Sequence, residues 1–592
     1  MKSCTFSNIV AINQGVFQIN VLSSITIESS NFVQNSAILN GVFKISGDSF
    51  FHFYGLVFIE NSAYLKNSIG QAIQIGSAST ISQCTFEKNS AFFIDYGTIK
   101  ADKDNSGKLI EFITIDARID ILDSHFIQNK ALVGTSNLYI LDSTDVYIVN
   151  SQFQGATQMQ NNSVYGDFLY ISSTSSVSII SSVFRQGFAQ SGGALFVLGS
   201  ASVNIQSSQF IENVALEQGG VIFADSIKSI RISSSCSFKN NKGIKNGGDA
   251  LYIYNSLSGQ VSIAESHFTS LNIESNFIFA IDIQILKLDR IKADIQSFTI
   301  QLGIQKFSGI YLRNIAKLKV IESNFSGLIG SNYLGGGSVV IEQTNALQED
   351  IVEIKDCIFK DSHASNRGGG LSIIDIKSTI IRTSTFFNNS ADKQGGGLMF
   401  ACNETGLIRD ECKLVIENCS FNSNSAKIEG GAIKWNFYEP YIVGGITFIN
   451  NSASIYGDNV AGVANQLVVV NFQQLGQRKY IKQNYGNNVK AVSSGGEINL
   501  YFGIIDNQGE FVRTENKSNL FISQVEASII NLALQKKPIM IKILLPQLQK
   551  QRHNSFLQMV SSKWKILFLL PHLIQVKVIS QSIITFRAQF CY

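Results

Sequence analysis

Proline is nearly absent from this chain. Only four of 592 residues are proline, and the first is Pro440. A chain that keeps its backbone donors over so long a run suits a continuous hydrogen-bonded sheet. Charge is also scarce, at 15% Asp, Glu, Lys and Arg. The net charge of +3 hides an asymmetry: residues 536–592 hold nine Lys or Arg and no acid, which leaves 38 bases against 44 acids in the body. No basic stripe runs along that body, so nucleic acid is not an expected partner. The first residues, MKSCTFSNIVAINQG, lack the apolar run of a signal peptide. They begin in mid-repeat, with Cys4, Phe6, Ala11 and Gly15 already in register, so an incomplete N-terminus is expected rather than cytosolic residence.

What is present is a repeated sentence. FKDSHASNRGGGLSI, FFNNSADKQGGGLMF and FNSNSAKIEGGAIKW follow one another between residues 359 and 435. With the Phe as anchor, copies begin at 6, 32, 58, 86, 126, 153, 184, 210, 238, 268, 298, 325, 359, 386, 421 and 448. Asn stands three residues after the anchor in nine copies and Ala five after it in eleven. Gly follows nine after it, as at Gly41, Gly219, Gly395 and Gly430. An aliphatic precedes it by five, as at Ile27, Ile121, Ile205, Ile354 and Ile416.

Runs such as VYIVNSQF and SVNIQSSQF alternate at period two between turn-formers. That pattern predicts short strands with no helix. Three strands and three bends fit about 27 residues, one rung of a right-handed parallel β-helix. At about 4.8 Å per rung, sixteen rungs predict a rod about 75 Å long. Equal positions would then lie over one another. The Phe would form an inward column, and the Asn an amide ladder at a bend that tolerates left-handed backbone. The Gly pair would supply positive φ before the next strand.

The FxxN motif (FVQN, FIEN, FEKN, FIQN, FINN) and the GGAL, GGVI, GGAI and GGGL motifs resemble polymorphic outer-membrane-protein repeats. That resemblance covers residues 1–460. It implies a pectin-lyase-like parallel β-helix of the kind found in large cell-surface proteins, and an adhesin-like stalk with no chemistry. The copies at Phe153, Phe268 and Phe298 are degenerate, and the membrane-inserted C-terminal barrel of the bacterial proteins has no counterpart here.

Few residues point to chemistry. Cys4, Cys84, Cys236, Cys357 and Cys419 stand two residues before an anchor, where Ser30, Ser124, Ser208, Ser266, Ser323 and Ser384 stand in other copies. A small inward position explains both residue types, so these thiols are expected buried and unpaired. Cys402 and Cys412 bracket the insertion NETGLIRDE and are candidates for a disulfide that staples it, with two free thiols as the alternative. Insertions at 101–109, 342–350 and 401–412 are read as falling after the Gly-led strand, which would crowd one lateral face with loops. In the first of these, ADKDNSGKL, Asp102, Asp104 and Ser106 are a weak candidate metal site. The twelfth position of that loop is Ile113 where a calcium loop has Glu, so a solvated acidic loop is the expected reading and no cofactor is assigned. His52, His125, His267 and His363 show no repeated acid or Ser partner, and acids are scattered. Catalysis is therefore not expected. Seven N-x-S/T sequons, at Asn161, Asn324, Asn388, Asn403, Asn418, Asn450 and Asn516, are glycosylation candidates.

After 460 the pattern changes. Residues 464–532 alternate around DNQGE and predict a small antiparallel, sandwich-like β domain that caps or follows the rod. Residues 536–592 are a basic apolar tail, expected to be poorly ordered or an aberrant sequence. Its stretch WKILFLLPHLIQVKVIS holds Lys565, Pro571, His572 and Lys577, which argues against a spanning helix. The expectation is an all-β, non-catalytic extracellular or cell-surface stalk presenting loops to a surface glycan or protein. Membrane anchoring would come through segments outside or uncertain in this chain. The alternatives are a carbohydrate-active enzyme on the same fold and a structural spacer within a larger membrane protein.

Overall fold

In the computed structural model the described residues are 1–470, apart from 14, 21–23, 47–49, 65–66, 74–78, 92–107, 115–117, 132–136, 143–144, 156–164, 173–174, 272–275, 296–308, 331–335, 346–349 and 407–410; beyond these come 501–512, 521–530, 542–544, 575–577 and 583–591. They are strands, bridges, bends and turns, with no helix among them.

Alternation builds each strand. In Ser202–Gln206, Val203 and Ile205 point inward while Ser202, Asn204 and Gln206 face out. The next strand, Ser229–Ser233, pairs with it in parallel, Val203 against Ile230 and Ile205 against Ile232. The same register runs back through Val177 and Val146 to Ile119. Since each turn buries its inner face only against its neighbours, the whole is a parallel β-solenoid.

The Phe strands form a sixteen-stranded parallel sheet. Beside it the Gly-led and aliphatic strands make two further columns, which the twelve-residue strands Ile278–Asp289 and Ile310–Ile321 fuse into one 29-stranded sheet. The remaining face is shorter, with short strands in sheets of five, three and five. About thirteen turns therefore carry every face, against about sixteen expected.

The anchor column is real. Phe32, Phe58, Phe86 and Phe210 are at most 1% exposed. Successive rings stack with centroids 4.5–5.2 Å apart from Phe6 through Phe268. A second run of stacked rings extends from Phe325 to Phe448. One register assignment needs correction. The partner of Phe268 on one side and of Phe325 on the other is Ala293, not Phe298. Strand pairing fixes that rung's inward position at Ala293, and Phe298 lies outside the described residues.

Ladders line the bends. The amides of Asn61 and Asn35 lie in line, with Asn35 N and Nδ2 both donating to Asn61 Oδ1 at 3.0 Å. Asn61 repeats the bond to Asn89 at 2.9 and 3.0 Å. The left-handed residue is not the Asn but its predecessor, such as Gln34 (φ 54) and Glu212 (φ 56). A second left-handed residue lies three before the anchor, as at Ser207 (φ 50). The Gly pair divides its work: Gly219 has φ +68, and a Cβ on Gly220 would sit 2.2 Å from the Asp249 carbonyl. The first glycine supplies backbone freedom and the second supplies close approach.

At the end of the Gly-led column, Gln466–Val470 pairs antiparallel with Tyr501–Ile505. Gly457 N donates to Glu510 at 2.7 Å and Gly462 N to Asp506 at 3.1 Å. Further antiparallel pairs join Phe521–Ile530 to Ile583–Cys591 and Lys542–Leu544 to Gln575–Lys577.

Candidate functional site

Most small residues before the anchors serve packing. Cys84, Cys236, Cys357 and Cys419 are buried free thiols, and Cys4 is half-buried. Burial pushes the Cys84 thiol up to about 11 and the Cys357 thiol up to about 12. Cys84 Sγ bonds the Ser82 carbonyl at 3.3 Å, and its own N–H donates to Ser124 Oγ at 3.2 Å. Ser and Cys therefore share one inward ladder.

The Gly-led strands carry the more unusual constellation. Their second residue points away from the main core, and from Tyr139 to Tyr311 it is aromatic in seven successive turns. Tyr139, Tyr170, Phe196, Phe223, Tyr252, Phe279 and Tyr311 stack with centroids 4.3–5.8 Å apart and planes within 23°. Phe279 and Tyr311 join Ile281, Val340, Ile374, Met399 and Ala401 in a second apolar cluster. These rings use their faces on one another.

Where the Gly-led strand turns toward the aliphatic strand, a second polar ladder begins that sequence reading missed. Ser226, Asn255, Asp282, Asn314 and Asp375 are left-handed there, with φ of 52 to 57. Asn255 donates to Ser226 Oγ at 3.2 Å and Asn314 to Asp282 at 2.8 Å. Gly199 (φ 66) holds the equivalent place one turn before Ser226, and pairing register reveals the ladder because the residue types vary.

Two carboxylates converge at this corner, contrary to the expectation that acids are merely scattered. Glu342 pairs in register with Arg313 and accepts a hydrogen bond from Tyr311. Burial, reinforced by the Asp375 charge, raises the Glu342 carboxyl above its ordinary range despite Tyr311 and Arg313. Glu342 is 3% exposed and Asp375 is fully buried. Asp375 is saturated by the stapled loop: it accepts from Glu404 N at 3.1 Å, Thr405 N at 2.7 Å and Thr405 Oγ1 at 2.6 Å. Thr405 Oγ1 also lies 2.8 Å from the Gln343 carbonyl. The loop is closed by a Cys402–Cys412 disulfide, Cα–Cα 6.2 Å. Asp375, Cys402 and Cys412 bring ligand-type atoms within 4.8 Å of one another. The two sulfurs bond each other and the carboxylate is occupied by loop donors, so this is a latch and not a metal cradle.

The insertions divide between two corners. Residues 342–350 and 401–412 follow Gly-led strands Val339–Glu342 and Leu398–Ala401. Residues 101–109 do not, since the Gly-led column of that turn is Lys108–Thr114, so the insertion precedes the strand. Asp102, Asp104 and Ser106 lie outside the described residues.

The histidines also have partners that linear reading could not find. His363 Nδ1 lies 2.9 Å from Ser390 Oγ and its Nε2 3.8 Å from Asp392. His267 Nε2 lies 2.5 Å from Asp294. Ser390, His363 and Asp392 have triad types, but 3.8 Å is too long for the hydrogen bond that orients a base. Ser390 belongs to the column that continues as Ser425 and Ser452, the outward position beside the buried Ala391, Ala426 and Ala453. Of the sequons, Asn388, Asn418 and Asn450 are exposed, Asn324 and Asn403 are half-buried, and Asn161 and Asn516 lie outside the described residues.

No family model matches the chain, and no curated protein matches it. Among solved structures, the Siphovirus 9NA tailspike receptor binding domain aligns over 86% of this chain and 84% of its own, at 8% identity and a TM-score of 0.14. A superposition that loose carries no argument.

Proposed function

We propose that this protein is a non-catalytic, rigid extracellular or cell-surface stalk that presents loops for adhesion or recognition of a surface glycan or protein. The observation that carries the reading is the stapled insertion. The nine-residue loop between Cys402 and Cys412 is tied by Thr405 and Glu404 to Gln343, Asp375 and Arg367 on preceding turns and to Asn436 on the next. A solenoid has no folding need for such a protrusion, whereas a recognition element gains from being held still. The disulfide fits an oxidising, extracellular setting. The FxxN and GGAI repeats, resembling polymorphic outer-membrane-protein repeats, support the same reading. Anchoring would come from segments other than the solenoid.

The test is binding. Purified chain, as wild type and as Cys402→Ser/Cys412→Ser, is applied to a glycan array and to arrayed surface proteins. The proposal expects saturable binding by the wild type and at least a tenfold weaker response from the variant. Equal binding by both forms, or none by either, would reject loop-borne recognition in favour of a spacer.

A further inference from the structure

The sequons sort by geometry into two groups, exposed Asn at bends and half-buried Asn. Asn388 and Asn450 each stand at the bend that closes a Phe strand, Thr385–Phe387 and Thr447–Ile449. Asn418 stands at the bend that opens the strand between them, Ser420–Asn422. Pairing of Phe386 with Phe421 and of Phe421 with Phe448 makes these three consecutive turns. All three Asn are exposed and left-handed, with φ of 52, 51 and 50, so each side chain projects from a convex corner. Asn388 uses one Nδ2 proton on Asp361 at 2.8 Å, which leaves the second available. Asn418 engages its carbonyl oxygen, accepting from Gly445 N at 3.0 Å, and not its nitrogen.

The other described sequons are built differently. Asn324 begins the strand Asn324–Ser326, paired on both sides, and its Oδ1 is buried without a hydrogen-bond partner. Asn403 is half-buried within the loop closed by Cys402–Cys412.

A second observation comes from the residues that precede the exposed Asn. Phe387 and Ile449 occupy the same register position two turns apart and are 40% and 47% exposed. Exposed apolar side chains directly before these Asn offer a surface on which the CH face of an attached sugar can rest.

We propose that Asn388, Asn418 and Asn450 carry N-linked glycans and that Asn324 and Asn403 do not. In the transfer, Nδ2 of the Asn forms a bond to C1 of the first sugar of a lipid-linked oligosaccharide diphosphate. The C1–O bond to diphosphate breaks, Nδ2 gives up one proton, and the lipid diphosphate leaves with the electron pair. Two turns separate Asn388 from Asn450, about 10 Å, so the three chains jacket the Phe face over these turns. The stapled loop, on another corner, stays bare. The inference concerns the Phe face and does not use the loop assignment.

The full chain is directed into the secretory pathway of a eukaryotic host and its peptides are mapped by mass spectrometry after amidase removal of glycans in heavy-oxygen water. Label at Asn388, Asn418 and Asn450, with none at Asn324 or Asn403, is the expected result. Ser390→Ala/Ser420→Ala/Ser452→Ala, which keeps every Asn, is expected to lose label at all three. Absence of label at the three in the wild type, its retention in the Ser variants, or equal label at Asn324 or Asn403 would overturn the proposal.

Discussion

Thr405 reaches across to the turn below and places its hydroxyl 2.6 Å from the carboxylate of Asp375. That contact, with the two loop N–H groups on the same carboxylate, makes Asp375 the inner anchor of the insertion and the disulfide its outer closure. Asp375→Ala would leave those loop donors unpaired. It is expected to cost about 2–3 kcal/mol and to raise amide exchange at 403–406 without affecting the Phe strands. Cys402→Ser/Cys412→Ser removes a closure over ten residues and is expected to cost about 2–3 kcal/mol. Hydrogen exchange with peptide resolution distinguishes a loosened loop from a weakened rod.

Glu342 predicts a pH effect with a definite sign. Its folded carboxyl titrates above the ordinary carboxylate range, burial being the main cause. Between the unfolded and the folded pKa the native state holds the extra proton, so stability falls as pH rises through that window. Glu342→Gln is neutral at every pH and keeps an acceptor for Tyr311. Its Tm should exceed that of the wild type at neutral pH, and the difference should shrink below pH 4, as thermal scans across pH would show. A difference independent of pH would contradict the assignment.

The inward thiols should be inert. With Cys84 near 11 and Cys357 near 12, thiolate is negligible at pH 7 and both sulfurs are shielded. Alkylation of the native protein should leave both unmodified for hours, and denaturant should expose them at once. Labelling of either in the native state would mean that the turns open locally.

The Asn ladder should behave as a chain of shared bonds. Asn61 bonds both neighbours and the Phe32 carbonyl while fully buried. Asn61→Ala orphans donors and acceptors on adjacent turns and is expected to cost about 3 kcal/mol. Phe126→Ala, removing a ring stacked on both sides at 4.7 and 4.5 Å, is expected to cost about 3–5 kcal/mol. Urea midpoints check both.

Much of this architecture was legible because solenoid burial is periodic: Phe, Asn and Gly recur at fixed separation since each occupies one environment per turn. What stayed hidden depends on contact between turns. His363 meets Ser390 and Asp392 from the next turn, and Glu342 meets Tyr311 from the one before. No linear spacing encodes those meetings, because the connections between strands vary in length. The second ladder escaped because Ser, Asn and Asp satisfy its left-handed position interchangeably. Ala293 escaped because a small residue gives no aromatic signal at the anchor position.

That alanine interrupts the pile of rings on the Phe face. Phe6 through Phe268 form one unbroken pile of rings, Phe325 through Phe448 another, and Ala293 lies between with no aromatic surface to share. The neighbouring columns carry that layer instead: Ile278–Asp289 and Ile310–Ile321 pair over ten residues and Phe279 stacks on Tyr311 at 4.8 Å. In a structure held by nearest neighbours, a gap in one pile of rings is thus bridged by the longest strand pairing beside it.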